Sequence, residues 1–123
     1  MDTGVLVRCL RGLPETIAAA KDLTEEGDLH ISVWSEVEIL TLVREAQEKR
    51  TLEFMTPFIE HPVTEPIAQR AAALRRGDAP SKLSMAQALI AATAVQHGLT
   101  LVTYDSGLQG VEGLKLHPLL AAA

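Results

Sequence analysis

The spacing of apolar residues along this chain alternates between a helical period and short apolar runs. Steps of three and four positions are typical of helices with one buried face, and short β-branched runs are typical of strands. The helical spacing covers residues 2–12, 14–26, 35–50, 51–58, 64–76 and 84–97. The short runs predict strands at residues 29–33, 59–63, 100–103 and 114–116.

Glycine and proline mark the boundaries between these elements. Gly12 is expected to end the first helix, and residues 27–28 and 77–80 predict turns. Pro62 restricts the 59–63 strand to a sheet edge or a strand end, because proline cannot donate a backbone hydrogen bond. Residues 121–123 are expected to form a tail.

The stretch from 81 to 105 is the most informative part of the chain. Ser84 is suited to cap a helix, and Gln87 follows three residues later, which is the spacing of a capping box. Gly98 fits the left-handed position that ends a helix. The buried strand that follows leads into Asp105, and ligands of parallel α/β domains bind at the carboxyl ends of strands.

Two other helices also begin at residues that can cap them. Asp2 or Thr3 is suited to cap the first helix, because a short oxygen-bearing side chain satisfies the free amides of the first turn. Ser35 and Glu38 have capping-box spacing at the start of the 35–50 helix. Polar oxygen atoms are therefore expected at the amino ends of three helices.

Strands that alternate with helices predict a single α/β domain over residues 1–123. The expected architecture has three layers, α/β/α, around a mainly parallel sheet. A chain of this length buries about two-thirds of its unfolded surface, which is enough for a hydrophobic core. In such a domain the carboxyl ends of the strands and the amino ends of the following helices share one edge.

Composition narrows the classes of function. The net charge of −5 provides no global basic field for nucleic acid, although a metal-dependent nuclease needs a local acidic cluster instead. Cys9 is the single cysteine, which excludes an internal disulfide and fits a reducing cytoplasm. No apolar run approaches the roughly 20 residues of a membrane span, and no secretion signal is recognisable. We therefore expect a soluble cytoplasmic protein without membrane contact.

Four polar side chains fall at comparable places in this expected fold. Asp2 lies at the head of the first helix and Glu38 one turn into the helix after the 29–33 strand. Gln87 lies one turn into the 84–97 helix, and Asp105 follows the 100–103 strand. Three carboxylates and one amide could thus converge in one cleft. Oxygen ligands of this kind suit Mg²⁺ or Mn²⁺, which can activate a water molecule beside a phosphodiester.

The same residues have a purely structural interpretation. Acidic residues at helix amino ends are stabilising through the helix dipole, and capping boxes explain both Glu38 and Gln87 without a metal. The four histidines have no ligand-like spacing, so each is expected at the surface or at a helix end, and a zinc site is not expected. They are His30, His61, His97 and His117.

Four ordered motifs resemble those of the PIN-domain family, and in particular its VapC-type ribonuclease toxins. The Asp2-Thr3 pair resembles the family's opening motif, and residues 31–40 resemble the second, in which Glu38 corresponds to the acidic ligand. Residues 83–94 are very similar to the third motif. Residues 101–105 resemble the fourth, with a hydroxyl at Thr103 and an acid at Asp105. The resemblance covers essentially the whole chain.

This resemblance implies a fold, an activity and partners. It implies a PIN-like α/β/α domain that cleaves single-stranded RNA with Mg²⁺ or Mn²⁺, forms a homodimer and is inhibited by a small cognate antitoxin. The metal ligands would be Asp2, Glu38 and Asp105. Gln87 would stand in place of the fourth ligand, and Thr103 would support the site.

The chain departs from the family pattern at two places. The third motif carries Gln87 where the family has an acid, so the site has about one negative charge fewer. The family's first strand precedes the Asp-Thr pair, whereas only Met1 precedes it here. We expect this strand to be missing or truncated, which leaves three explanations: the natural chain starts upstream, the fold has rearranged locally, or the protein is a decayed copy.

Two hypotheses of different classes follow from these departures. In the first, the chain is a metal-dependent endoribonuclease in which Gln87 is tolerated. In the second, it is a catalytically silent PIN-like module that binds RNA or a protein partner.

Overall fold

The computed structural model describes residues 1–12, 14–77 and 83–117. The helices are α1 (Thr3–Leu10), α2 (Pro14–Glu26), α3 (Val33–Leu42), α4 (Glu48–Met55), α5 (Glu65–Arg76) and α6 (Met85–Gln96). The strands are β1 (His30–Ser32), β2 (Ile59–His61), β3 (Thr100–Leu101) and β4 (Lys115–Leu116). Single turns of 3₁₀ helix occupy Glu45–Gln47 and Ser106–Leu108.

The strands form two separate parallel pairs, so the prediction of a mixed α/β domain with parallel strands is confirmed. β1 pairs with β2, and β3 pairs with β4. In the described ranges the two pairs are not joined into one sheet. The strands are shorter than predicted, with two or three residues each.

The first two residues connect the two pairs of strands. The amino group of Met1 donates a 2.6 Å hydrogen bond to the carbonyl oxygen of His30 in β1. The backbone N–H of Asp2 donates a 3.0 Å bond to the carbonyl oxygen of Val102, directly after β3. Burial lowers the pKa of the Met1 amino group to about 6, since the charged form loses its hydration there.

Helix α6 forms the centre of the larger hydrophobic core. Its capping box is complete: the Ser84 hydroxyl accepts from the Gln87 backbone, and the Gln87 side chain accepts from the Ser84 backbone. Gly98 has a φ of 63°, the predicted left-handed position after the helix. Residues 88–94 are all buried, so the middle of α6 is covered on every side rather than along one face. Its small side chains let α5, α3 and the strands approach closely.

The capping box predicted at Ser35 is wrong, because helix α3 starts earlier. Ser32 is the cap, and its hydroxyl accepts a 3.1 Å bond from the Trp34 backbone. Ser35 therefore lies inside the helix, fully buried, and Glu38 faces α1 instead of the helix start. The predicted 35–50 helix also ends at Leu42, where Val43 adopts an extended conformation.

The turn predicted at 77–80 lies outside the described residues except for Gly77, and the 121–123 tail lies outside them entirely. The 81–105 stretch is described from residue 83 onward. No helix in the described ranges combines the length and the apolar character needed to cross a membrane.

We expect Ser84→Ala to lower the free energy of unfolding by about 1 kcal/mol, because it removes an acceptor from the first turn of α6. The matched control is Thr64→Ala, since Thr64 occupies the same position before α5 but its side chain makes no capping hydrogen bond. Urea denaturation measures both variants. Equal losses of stability for the two would contradict the importance of the α6 cap.

Candidate functional site

One open cavity of about 640 Å³ collects the residues predicted to carry chemistry. It lies where the amino ends of α1 and α6 meet the segment after β3, with α3 on its side. Its lining includes Asp2, Glu38, Gln87 and Asp105. Segments separated by more than 100 positions thus place three carboxylates and one amide at a single edge of the domain, as the strand order predicts.

Asp2 is fixed by the chain segment that follows β3. The Thr103 hydroxyl donates a hydrogen bond to Asp2 Oδ2 and accepts a 2.9 Å bond from the Asp105 backbone. Thr103 is completely buried, so its hydroxyl depends on these two partners. Asp2 Oδ1 has no hydrogen-bond partner among the described residues and remains available to a ligand in the cavity.

Glu38 is fixed by the first turn of α1. The Thr3 hydroxyl donates a 2.7 Å hydrogen bond to Glu38 Oε1 and shares a 3.0 Å bond with the Ser35 hydroxyl. This chain of hydroxyls joins α1 to α3 beside the cavity. The second oxygen of Glu38 has no partner in the described part of the chain.

Asp105 is held by an amide and by its own turn. Gln87 Nε2 donates a 2.8 Å hydrogen bond to Asp105 Oδ2, and the Gly107 backbone donates a 2.8 Å bond to Oδ1. A Cβ atom at Gly107 would lie 2.7 Å from Gln87 Nε2, so only glycine leaves room for this arrangement. Both Asp105 oxygens therefore already accept one hydrogen bond.

The orientation of the Gln87 amide follows from its other partner. The Ser84 backbone N–H, which can only donate, lies 2.9 Å from Gln87 Oε1. The amide oxygen is therefore turned toward the helix start, and the NH₂ group faces Asp105. In this orientation Gln87 presents a donor to the cavity and no metal-ligating oxygen.

The donor set fits a hard divalent cation only in part. Carboxylate oxygens of Asp2 and Glu38 are available, and carboxylates are the preferred ligands of such ions. In the described ranges, however, no three acidic, histidine or cysteine side chains form a group compact enough to hold a metal ion. Each carboxylate is instead held apart by its own hydroxyl or amide partner.

Two arginines also line this cavity, and the sequence analysis did not identify them. They are Arg8 in the last turn of α1 and Arg11 directly after that helix, and both are exposed. The Arg8 guanidinium lies 3.9 Å from the centre of the Tyr104 ring, a cation–π contact beside Asp105. Their spacing of three positions at the carboxyl end of α1 was the available signal, because residues three apart on a helix are neighbours on its surface.

Three histidines come together, a contact that their sequence spacing did not indicate; His97 is exposed at the end of α6, as expected, and His30 and His61 are half-buried. His30 Nδ1 and His61 Nε2 are 2.8 Å apart, and the rings of His61 and His97 are centred 4.0 Å apart. The His30 and His61 rings stack, the His97 ring is tilted against His61, and among the described residues the three do not form a metal-binding group. Burial, and then the neighbouring His97 and His30, lower the pKa of His61. This cluster lies away from the acidic cavity.

Comparison with known proteins gives the family of this chain. The PIN-domain profile matches residues 1–114. The chain belongs to the PIN-domain family. It is 34% identical over 111 residues to ribonuclease VapC10 of Mycobacterium tuberculosis, in two strains, and the match covers 85% of this chain and 80% of the relative.

Solved structures support the same family. A toxin–antitoxin complex from Klebsiella pneumoniae has a chain that is 29% identical, with a TM-score of 0.76 and coverage of 92% of both chains. FitAcB from Neisseria gonorrhoeae has one with 25% identity, a TM-score of 0.71 and 95% coverage of both. VapBC2 from Rickettsia felis, bound to a promoter DNA fragment, shares the fold with a TM-score of 0.80 at 17% identity. The present chain is therefore a PIN domain along most of its length.

We expect Thr103→Val to destabilise this PIN domain by about 1–3 kcal/mol, because it leaves the Asp105 amide and the Asp2 carboxylate without their buried partner. Thr103→Ser is the matched control, since it keeps the hydroxyl and loses one methyl group, at about 0.8 kcal/mol. Chemical denaturation with both variants checks this. A valine variant as stable as the serine variant would contradict the role of the hydroxyl.

Proposed function

We propose that this PIN-domain protein is a VapC-type toxin ribonuclease that cleaves single-stranded RNA at the acidic cavity with the help of Mg²⁺ or Mn²⁺. One observation carries the proposal: Asp2, Glu38 and Asp105 come from three distant segments and line one cavity of a PIN fold. Carboxylate oxygens at one open edge are the donor type that a hard divalent cation prefers.

Asp2, Glu38 and Asp105 would hold the metal ion, and Thr103 would keep Asp2 in place. A divalent ion bound there supplies a water of lowered pKa and offsets the charge that develops on the phosphodiester. Asp2 and Glu38 would each offer the carboxylate oxygen that is not held by a hydroxyl, and Asp105 would offer an oxygen that accepts from Gln87 in this structure.

Gln87 would weaken metal binding at this site and slow RNA cleavage. Its NH₂ group donates a hydrogen bond to Asp105 and places partial positive charge beside this carboxylate. Its oxygen accepts a hydrogen bond from the Ser84 backbone. Metal binding therefore has to displace or reorient an amide that two hydrogen bonds hold. We expect weaker metal binding and slower cleavage than in a site with an acid at this position.

Arg8 and Arg11 would bind the RNA backbone. They are exposed on the rim of the cavity in a chain whose net charge is −5, so they supply local positive charge where a phosphodiester must approach. Tyr104 holds the Arg8 guanidinium by stacking and thereby limits its motion. RNA contact at this rim does not need a global basic field.

The partners proposed for the chain are a small cognate antitoxin and a second copy in a homodimer. One similar chain of known structure belongs to a toxin–antitoxin complex, which supports an antitoxin as partner. Leu42 lies on the rim of the acidic cavity and is 68% exposed, and Val37 on the same helix is 55% exposed. Apolar side chains of this exposure favour a protein contact close to the cavity.

A second candidate function is a catalytically silent module that binds RNA or a protein partner. The orientation of Gln87 favours this second candidate, because its NH₂ group donates to the Asp105 carboxylate at a place where a metal ion would otherwise bind. In that case the arginines would bind RNA without cleavage. The two experiments below separate the candidates.

We expect Asp105→Asn to reduce cleavage of a fluorescent single-stranded RNA by on the order of a hundredfold, because even residues that only support metal ligands contribute 10- to 100-fold. Glu53→Gln is the matched control, since it neutralises an exposed acid on α4 away from the cavity. Cleavage is measured with Mg²⁺, with Mn²⁺ and with a chelator. Unchanged cleavage by Asp105→Asn would refute the proposed site.

We expect Gln87→Asp to tighten Mn²⁺ binding by about tenfold or more, since it replaces an amide donor with a carboxylate near the ion. Gln87→Asn is the control for shortening the side chain without adding charge. Calorimetric titration with Mn²⁺ measures both, beside cleavage assays. Binding and cleavage by the Asp variant alone would show a nuclease scaffold that Gln87 disables, and failure of every variant, the original chain included, would support the silent module.

A further inference from the structure

Three histidines from three elements form a cluster that the acidic cavity does not use. His30 lies in β1, His61 lies in β2, and His97 directly follows α6. His61 is the central member, because its ring contacts both of the others. We call these three residues the histidine cluster.

The contact between His30 and His61 requires at least one neutral ring. His30 Nδ1 and His61 Nε2 lie 2.8 Å apart, and the planes of the two rings are inclined by only 14°. A neutral imidazole has one nitrogen that donates and one that accepts, whereas a protonated imidazole only donates. If both rings were protonated, two N–H groups would face each other and the hydrogen bond would be lost.

The contact between His61 and His97 is also unfavourable for added charge. The centres of these two rings are 4.0 Å apart. Two positive rings at this distance repel each other, and His61 is half-buried, which weakens the hydration of its charged form. Burial, and then His97, His30 and the amino terminus, lower the pKa of His61. The folded chain therefore resists a proton at the centre of the cluster.

Positive groups approach the cluster from two further segments. The Met1 amino group donates a 2.6 Å hydrogen bond to the carbonyl oxygen of His30. On α5, the Arg70 side chain donates a 3.4 Å bond to Gln96, the residue before His97. A proton on the cluster is therefore added beside existing positive charge.

The other titratable groups of these elements do not stabilise a charge on His61. Burial, and then the contact with Glu36 of α3, raise the pKa of Glu60, the neighbour of His61 in β2. Asp28 and His117 line the same cavity as His61, but neither contributes to the shift of its pKa. Among the described residues, no carboxylate thus opposes the lowering of the His61 pKa.

Strand β2 has few other contacts in the described part of the chain. It has three residues and pairs with β1 alone. Ile59 and Glu60 are exposed, and His61 is half-buried. The cluster therefore supplies the side-chain packing that holds this short strand beside the end of α6.

We propose that the histidine cluster is a pH-sensitive switch, which holds β2 to β1 and to the end of α6 only while its rings are neutral. When the pH falls below about 6, protons enter the cluster and the bond between His30 and His61 breaks. β2 then separates from β1, which exposes the unpaired backbone edges of both strands.

The direction of this pH dependence follows from proton linkage. An opened or unfolded chain takes up the proton at the ordinary pKa of histidine, about 6.5, whereas His61 in the folded cluster takes it up only at lower pH. Acidification through this range favours the form that binds more protons, which is the open form. The stabilisation by the cluster is fully present above about pH 7.5 and decreases as the pH falls below about 6.5.

The test measures hydrogen exchange at the Ile59 amide, which donates a 2.9 Å bond to the Leu29 carbonyl oxygen between β2 and β1. Its protection factor, corrected for the intrinsic exchange rate, should fall on the order of tenfold from about pH 7.5 to about pH 5.5, because opening of the pair breaks this bond. The measurement uses the whole chain without metal ion or RNA, so its outcome is independent of the ribonuclease proposal.

His61→Gln should remove this response, because glutamine does not titrate and keeps an amide nitrogen near the position of Nε2. We expect the protection of Ile59 in this variant to change less than about twofold over the same pH range. His117→Gln is the matched control and should keep the full loss, since His117 does not act on the His61 pKa. The Met1 amino group, with a pKa of about 6, titrates in every variant and cancels in the comparison.

His97→Gln gives a second and independent measurement, which decides the matter if His61→Gln fails to fold. His97 is exposed, so its replacement leaves the hydrophobic core unchanged. NMR titration of the His61 ring should give a higher pKa in His97→Gln than in the parent chain, because one neighbouring charge is removed.

Three results would each overturn the switch. They are constant protection of Ile59 in the parent chain, an equal loss of protection in His61→Gln, and an unchanged titration of His61 in His97→Gln.

Discussion

The rest of this structure depends on the two hydrogen bonds by which Met1 and Asp2 join the separate pairs of strands. They place the backbone of Asp2 between β1 and β3 at the edge where α1, α3 and α6 meet. Thr103 then fixes the Asp2 side chain, and Thr3 on the same turn fixes Glu38. The acidic cavity and the sheet are thus organised by the same dipeptide, so a change in one alters the other.

The hydrogen bonds that each carboxylate accepts decide which of its oxygens can bind a cation in the acidic cavity. Hydroxyls hold Asp2 and Glu38 and leave one oxygen of each available, whereas an amide and a turn occupy both oxygens of Asp105. A cation that binds here competes with the Gln87 NH₂ group and not only with water. A single amide in place of an acid therefore changes both the charge of the site and the hydrogen bonds that must break when the site is used.

Local sequence patterns predicted much of the fold and the convergence of Asp2, Glu38, Gln87 and Asp105, but they did not identify Arg8 and Arg11 in the same cavity. The α6 cap at Ser84 and the glycine at 98 follow from neighbouring residues, and the structure confirms both. The start of α3 did not follow, because both Ser32 and Ser35 can cap a helix. Burial of Ser35 against Thr3 of α1 decided between them, and that contact joins residues 32 positions apart.

The sequence by itself determined the order of helices and strands, the family motifs and the oxygen-bearing residues at the helix starts, because each depends on spacing within one or two turns. Only the tertiary structure decided which atoms of these residues are free. The contact of the Gln87 amide with Asp105, the contacts of His61 with His30 and His97, and the separation of β1 from β3 all depend on which distant segments lie side by side. Local periodicity carries no information about such contacts, since packing of the whole chain sets them.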